Sequence, residues 1–268
     1  MFKIINKKNL SGIITQLEIE APLVADKARP GQFVVLINDS KGERIPLTLA
    51  DWNMDKRSIT VIFQIVGLTT RKLSERNIGD SIEHILGPLG HPTEIKKLGK
   101  VVCVGGGVGI AEIYPVARGF KNAGNEVIGV IGARSKDLLI LGDELRNSID
   151  ELHITTDDGS YGKKGFVTDI LKELLNPEIK LIYAVGPVPM MRAVTELTRP
   201  LNIKTLVSLN PIMVDATGMC GACRCNVAGK TVFACVEGPD FDAHSVDFNE
   251  LEKRLNQFKD QEQITKRS

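Results

Sequence analysis

The chain has 268 residues, a formal net charge of +1 at neutral pH, 43% hydrophobic and 25% charged residues, the balance of a soluble globular protein with room for two domains. A charge this close to zero gives no overall electrostatic case for nucleic acid or an anionic membrane as a partner. The opening MFKIINKKNLSG lacks the apolar core of a secretory signal, and the most apolar stretch, residues 101–117, is broken by four glycines and Glu112, so a cytoplasmic protein is expected.

Residues 1–97 are expected to form a β-barrel domain. Residues 13–20 and 33–37 are strand-like, and residues 59–66 read ITVIFQIV, a strongly β-branched run. Pro30-Gly31, Asp39 and Gly79-Asp80 supply turn chemistry between them, and several short strands at this spacing suggest a small barrel. Arg44-Ile45-Pro46-Leu47-Thr48 is placed between strands. A guanidinium there offers a bidentate grip on a phosphate, and a hydroxyl four residues later can reach a polar ring edge. A surface arginine beside a strand-edge proline is the plainer alternative.

Residues 98–210 change character, because apolar strands alternate with helical stretches. VVCVGGG, VIGVIGA, LHITTDD, LIYAVGP and KTLVSLN are the strands. Helices are expected at 114–122, 143–150 and 167–175, with a further unit through 190–197. That alternation predicts a parallel sheet covered by helices on both faces. Gly105-Gly106-Gly107-Val108-Gly109 follows the first strand and opens a helix, where free N–H groups and the helix dipole favour a pyrophosphate. Position 110 is isoleucine, so the run departs from G-x-G-x-x-G, and a tight strand–helix connection explains it as well. Cys103, inside its apolar strand, reads as a core thiol.

After Asn210 the alternation stops. Residues 211–245 are loop-rich, and residues 246–268 are expected to be a helical tail with an amphipathic helix over 248–260. Four of the five cysteines, Cys220, Cys223, Cys225 and Cys235, lie here, which argues for a metal rather than a disulfide framework. Four thiolates suit a structural zinc site. They equally suit a 2Fe–2S cluster, whose plant-type spacing is C-x4-C-x2-C followed by a distant cysteine. On that spacing the first ligand falls on Asp215, followed by Cys220, Cys223 and Cys235. The competing reading of Asp215 is a loop or N-cap carboxylate, and Cys225 reads as a packed bystander.

Taken in order, the Arg44–Thr48 run, Gly87-Pro88-Leu89-Gly90, the glycine turn and Gly186-Pro187 resemble the ferredoxin–NADP reductase family over roughly residues 5–210. The resemblance implies FAD held by Arg44, Pro46, Leu47 and Thr48, with Arg44 at the pyrophosphate and Thr48 near the ring. It implies a second flavin-phosphate segment at Gly67, Thr69 and Thr70. Gly105, Gly107 and Gly109 would face a nicotinamide dinucleotide, and Gly186 and Pro187 would border its reactive ring. Two features depart from the family pattern: Val185 stands where many relatives have cysteine, and the chain continues where plant-type reductases stop on an aromatic residue.

A flavin reductase followed by a 2Fe–2S segment is similar to the electron-transfer subunits of dihydroorotate dehydrogenase B and their relatives. Those relatives include the small subunits of electron-bifurcating NADH-dependent reduced ferredoxin:NADP oxidoreductases. Aspartate in the first ligand place and the tail GPDFDAHSVDFNELEKR resemble the bifurcating group. The resemblance implies an oxidoreductase subunit that exchanges hydride with NAD(H) and passes single electrons to a larger iron–sulfur flavoprotein subunit in a heterodimer. The tail from about Asp240 would dock that partner, and no side chain is assigned as a general acid or base. Arg134, Ser135 and Lys136 suit a 2′-phosphate and Asp137 suits a free ribose hydroxyl; the resemblance tips the choice toward NAD(H). A non-catalytic scaffold with a zinc knot is the rival from another class.

Overall fold

In the computed structural model, which describes residues 1–261, the N-terminal strands form one seven-stranded antiparallel sheet. Its elements are β1 (Phe2–Ser11), β2 (Ile14–Glu20), a short helix α1 (Pro22–Ala25), β3 (Phe33–Ile37), β4 (Arg44–Asn53), β5 (Ser58–Gln64), helix α2 (Leu68–Glu75), β6 (Ser81–Ile82) and β7 (His84–Leu89). The order is β6-β1-β2-β5-β4-β3-β7. The two outermost strands, β6 and β7, are neighbours in sequence, separated by Glu83. The sheet must therefore curl until its edges nearly meet, which makes the expected barrel and leaves little unpaired edge. Leu17, Ile19, Val34, Leu36, Leu49, Val61 and Phe63 fill its interior.

Two strands differ from the sequence expectation. Arg44 to Thr48 is not a connection but the first half of β4, with Thr48 opposite Phe33 and Arg44 opposite Ile37. Proline and arginine disguise the alternation here, since Pro46 cannot donate to a ladder. The other is β1, whose lysines and asparagines hide its pattern; pairing with β2 and the Lys7 ammonium bonded to the carbonyls of Ser74 (2.6 Å) and Arg76 (2.7 Å) hold it in place.

The second sheet is built from β8 (Lys100–Gly106), α3 (Ile110–Asn122), β9 (Glu126–Ala133), α4 (Gly142–Arg146), β10 (Glu151–Thr156), β11 (Lys163–Lys164), α5 (Val167–Leu174), β12 (Ile179–Val185), α6 (Val188–Thr198) and β13 (Thr205–Ser208). Helix α3 begins four residues earlier than expected, and α4 stops four residues short, at Arg146. The strand order β11-β10-β9-β8-β12-β13 reverses direction between β8 and β12. Open parallel sheets leave a crevice for ligands at such a switch point, beyond the carboxyl ends of the strands.

The C-terminal segment is more ordered than its composition suggests. Strands β14 (Arg224–Val227) and β15 (Lys230–Phe233) make a hairpin, β16 (Asp240–Asp242) follows, and helix α7 runs over Phe248–Leu255. Strand β16 joins the large sheet antiparallel to β13, pairing Ser208 with Asp240 and Leu206 with Asp242. A three-residue edge strand carries no periodicity that a sequence reading can detect. Helix α7 is capped by the Asp247 carboxylate, which accepts from the N–H groups of Asn249 and Glu250 (3.0 Å each), and it buries Phe248 and Leu251. The expected tail is thus part of the fold as far as Leu255, shorter than the helix expected to 260, and residues 262–268 lie outside the described residues. Among the described residues no helix is long and apolar enough to cross a membrane.

The glycine turn is set by backbone contact. A Cβ on Gly109 would lie 2.6 Å from the Val185 carbonyl oxygen and 3.1 Å from the Gly186 Cα, whereas Gly107, at φ +57°, faces open space. Gly109→Ala should therefore push β8 away from β12 and cost about 1–3 kcal/mol, while Gly107→Ala pays only left-handed strain of about 1–2 kcal/mol. Thermal melting of the two variants checks the order; a Gly107 variant that melts well below the Gly109 variant would contradict it.

Candidate functional site

Two cavities open at the switch point. The first, about 490 Å³, lies between barrel and nucleotide domain. Pro46, Leu47 and Thr48 of β4 form one wall, with Thr70 of α2 at one end. Gly107 and Gly109 form the opposite wall, together with Gly186 and Pro187 after β12. The second, about 590 Å³, lies over the ends of β8, β9 and β10 and includes Arg134, Asp157, Phe166 and Met190. Both cavities are bordered by Gln64, Gly106, Gly107, Val108 and Pro187. Between the barrel and the nucleotide domain, Arg118 of α3 pairs with Asp51 of β4 and sits 4.9 Å from the Tyr114 ring centre and 5.9 Å from that of Trp52.

The remaining sequence-selected residues are placed as follows. Arg44 is exposed on the same strand as Thr48, and its Nη1 donates to the Asp215 carbonyl oxygen (3.2 Å). Gly67 precedes α2, where the Thr70 hydroxyl accepts from the N–H groups of Val66 and Gly67 (3.0 Å each). Thr69 donates to Glu43 (2.9 Å), beside Arg44. Gly105 is buried near the end of β8 rather than at a cavity wall. Arg134 lines the second cavity, but Asp137, exposed in the turn after β9, does not; Asp157 stands there instead.

A polar network that the sequence reading did not identify stands in the first cavity's wall. Glu112, buried in the first turn of α3, accepts from the Thr48 hydroxyl (3.0 Å) and lies 3.2 Å from the Tyr183 hydroxyl. The same Tyr183 oxygen is 2.9 Å from the Asp240 carboxylate, which also accepts from Thr93 (2.6 Å). Ser208, paired with Asp240 across β13 and β16, lines the same cavity. Burial raises the Glu112 carboxyl, and burial followed by the charge of Glu112 pushes Asp240 up to about 7. One signal was legible: Glu112 is the lone charge in the apolar stretch 101–117.

The cysteine loop brings its selected residues together unevenly. Asp215 accepts from the N–H groups of Thr217 and Cys220 (2.8 Å each), the Thr217 bond being the main cause of its lowered pKa. Cys223 and Cys235 are buried with their sulfurs 3.2 Å apart, and Cys220 is exposed. Burial, then Cys223, pushes the Cys235 thiol up to about 12, so a bound cation is what would make it a thiolate. Cys225 is buried, with its thiol directed to the Cys223 carbonyl (3.6 Å). Among the described residues no three His, Cys, Asp or Glu side chains surround one point suited to a single ion. A zinc knot needs four donors about one ion, whereas a two-iron cluster divides its ligands between two metals. Two oxygen bonds leave the Asp215 carboxylate with free lone pairs, so the donor set fits the latter.

Residues 210–247 match the iron–sulfur cluster binding domain of dihydroorotate dehydrogenase B, and residues 103–196 match an oxidoreductase NAD-binding domain. The dihydroorotate dehydrogenase B (NAD(+)) electron transfer subunit homolog of Thermotoga maritima is 47% identical, covering 98% of this chain and 93% of its own. The chain belongs to this family. The electron transfer subunit from Bacillus caldolyticus is 34% identical over 86% of this chain and 91% of its own. A chain of the NADH-dependent reduced ferredoxin–NADP oxidoreductase structure, described for flavin-based electron bifurcation, superposes with a TM-score of 0.94 at 46% identity, covering all of this chain and 97% of the other. This member of the dihydroorotate dehydrogenase B electron-transfer subunit family is thus an oxidoreductase subunit with NAD-binding and iron–sulfur domains, and the zinc-scaffold alternative falls away.

The raised Asp240 carboxyl has a defined sign for stability. Folding holds a proton that the unfolded chain releases near pH 4, so this stabilisation is complete below that pH and lost as pH rises through about 7. Asp240→Asn should therefore gain stability relative to the parent as pH rises across that window. Urea midpoints at several pH values measure it; a difference between the two proteins that does not change with pH would refute the assignment.

Proposed function

We propose that this chain is the flavin and iron–sulfur electron-transfer subunit of an electron-bifurcating NADH-dependent reduced ferredoxin:NADP oxidoreductase, with FAD in the first cavity and NAD(H) in the second. The observation that carries the reading is the wall common to both cavities, formed by Gln64, Gly106, Gly107, Val108 and Pro187. Groups held on either side of it approach each other without a change of fold. A flavin accepts a two-electron hydride and gives electrons up singly, which is the chemistry needed between a nicotinamide and an iron–sulfur cluster.

Each residue then has a physical task. Arg44 grips a flavin phosphate with its fork of N–H groups, and the free N–H groups at the start of α2, beside Gly67, Thr69 and Thr70, add to that hold. Pro46 and Leu47 offer an apolar wall, and the Thr48 hydroxyl reaches the ring edge. Gly107 and Gly109 let the backbone approach the dinucleotide, with Gly105 packing the strand behind them, and Gly186 and Pro187 border the nicotinamide. Asp157, beside Arg134 in the second cavity, suits a free ribose hydroxyl and supports NAD(H) over NADP(H); Asp137 loses that role. Asp215 and Cys220 serve one iron, and Cys223 and Cys235 the other.

The Arg44 bond to the Asp215 carbonyl supports a short route from flavin to cluster. Val214, Met219 and Val236 are exposed around the cysteine loop, with Met219 at 89%, an apolar surface suited to a larger iron–sulfur flavoprotein subunit that takes the electrons. A second reading, the electron-transfer subunit of dihydroorotate dehydrogenase B itself, is favoured by the named relatives at 34% identity. Aspartate in the first ligand place and the 0.94 superposition favour the first.

Two experiments test this. Arg44→Ala should lose about 1.5–3 kcal/mol of flavin affinity, seen as reduced flavin absorbance after gel filtration; full retention would remove Arg44 from the site. Asp215→Cys should keep the cluster with a changed paramagnetic spectrum, Asp215→Ala should lower iron content, and Cys225→Ser should leave the iron in place. If Asp215→Ala is silent and Cys225→Ser abolishes the centre, Cys225 is the fourth ligand.

A further inference from the structure

The buried polar network contains a hydrogen-bond conflict. Tyr183, fully buried, places one hydroxyl between two carboxylates, 3.2 Å from Glu112 Oε1 and 2.9 Å from Asp240 Oδ1. A phenol has a single hydrogen. It can donate to one carboxylate, but it then presents lone pairs to the other, which is repulsive unless that carboxyl carries its own proton. One added proton resolves the arrangement: a protonated carboxyl donates to the Tyr183 oxygen, and Tyr183 donates to the remaining carboxylate.

Charge leads to the same requirement. The groups facing the pair are Thr48 from β4, Thr93 from the segment between the domains, Tyr183 from β12 and Ser208 from β13. Among the described residues neither carboxylate has a lysine or arginine partner. Two neighbouring desolvated anions without a cation are costly, and a shared proton removes one of them. Glu112 lines the first cavity together with Thr48 and Ser208, and Tyr183 connects it to Asp240 behind the wall.

We infer that Glu112, Tyr183, Ser208 and Asp240 act as one proton-holding unit, which keeps a single proton between its two carboxylates and takes up a second when negative charge arrives in the first cavity. This rests on the reading that a flavin occupies that cavity. Hydride transfer turns NADH into NAD⁺ and leaves the neutral ring with one negative charge; the unit then binds one proton from solvent, becoming neutral beside the new anion. Two electrons are thus accompanied by two hydrogens, one on the ring and one on the unit. When the electrons leave, both protons are returned to solvent. Glu112 and Asp240 are positioning residues in this scheme, because they set the charge beside the ring without reacting with the substrate.

Infrared difference spectroscopy of the full chain stripped of flavin, parent minus the isosteric double variant Glu112→Gln/Asp240→Asn, tests the resting proton. Just below neutrality a protonated-carboxyl band should appear in the parent alone and fade as pH rises through about 7; its absence below neutrality would overturn the resting state proposed. With flavin restored, the midpoint potential of the parent should fall about twice as steeply with pH just below neutrality as that of the double variant. Equal slopes with flavin retained in both would overturn the coupling. A chain that binds no flavin would remove the cofactor reading and the coupling with it, and the infrared band would still decide whether the unit holds its proton.

Discussion

The site depends on how closely two strand ends approach. At the carboxyl ends of β8 and β12 the backbone of Gly109 lies against Val185 and Gly186 with no room for a side chain. Because the strand order reverses there, the approach opens a crevice that the barrel then roofs. Both cavities inherit their common wall from that contact, and Arg118, held by Asp51 and stacked near Trp52 and Tyr114, keeps the barrel in register with helix α3. A side chain at Gly109 would separate the strands and enlarge the gap between the two cavities.

The C-terminal segment extends this geometry instead of hanging from it. Strand β16 lengthens the large sheet beyond β13, and that pairing sets Asp240 opposite Ser208 and within reach of Tyr183. The same segment carries the cysteine loop back over the barrel, where Arg44 meets the Asp215 carbonyl. The first cavity's wall, the carboxylate network and the cysteine loop are therefore mechanically linked through three strands and one arginine. A disturbance at one reaches the others through bonds of ordinary strength rather than through a long relay.

The carboxylate network also shows what a buried charge signifies in this fold. Desolvation without a cation would normally select against two acids in one place. Their persistence here is compatible with a protein whose cofactor changes charge, because a group that titrates near neutrality can answer that change locally.

Much was legible in the chain itself. Alternating apolar strands and helices specified the parallel sheet, because periodicity reports which faces are buried, and the cysteine spacing specified a metal-binding loop, because ligand spacing is a local property. The iron–sulfur segment within 210–247 and the glycine turn could be read for the same reason. Tertiary structure decided the rest. Arg44 to Thr48 became a strand because β3 was present to pair with it, and β16 exists through β13, so neither carries a pattern of its own. Asp157 rather than Asp137 lines the second cavity with Arg134 because the ends of β9 and β10 lie side by side. Glu112, the lone charge of its apolar stretch, and Asp240 are separated by 128 positions; their conflict over one phenolic hydrogen arises when folding places Tyr183 between them and removes the water that would have screened their charge.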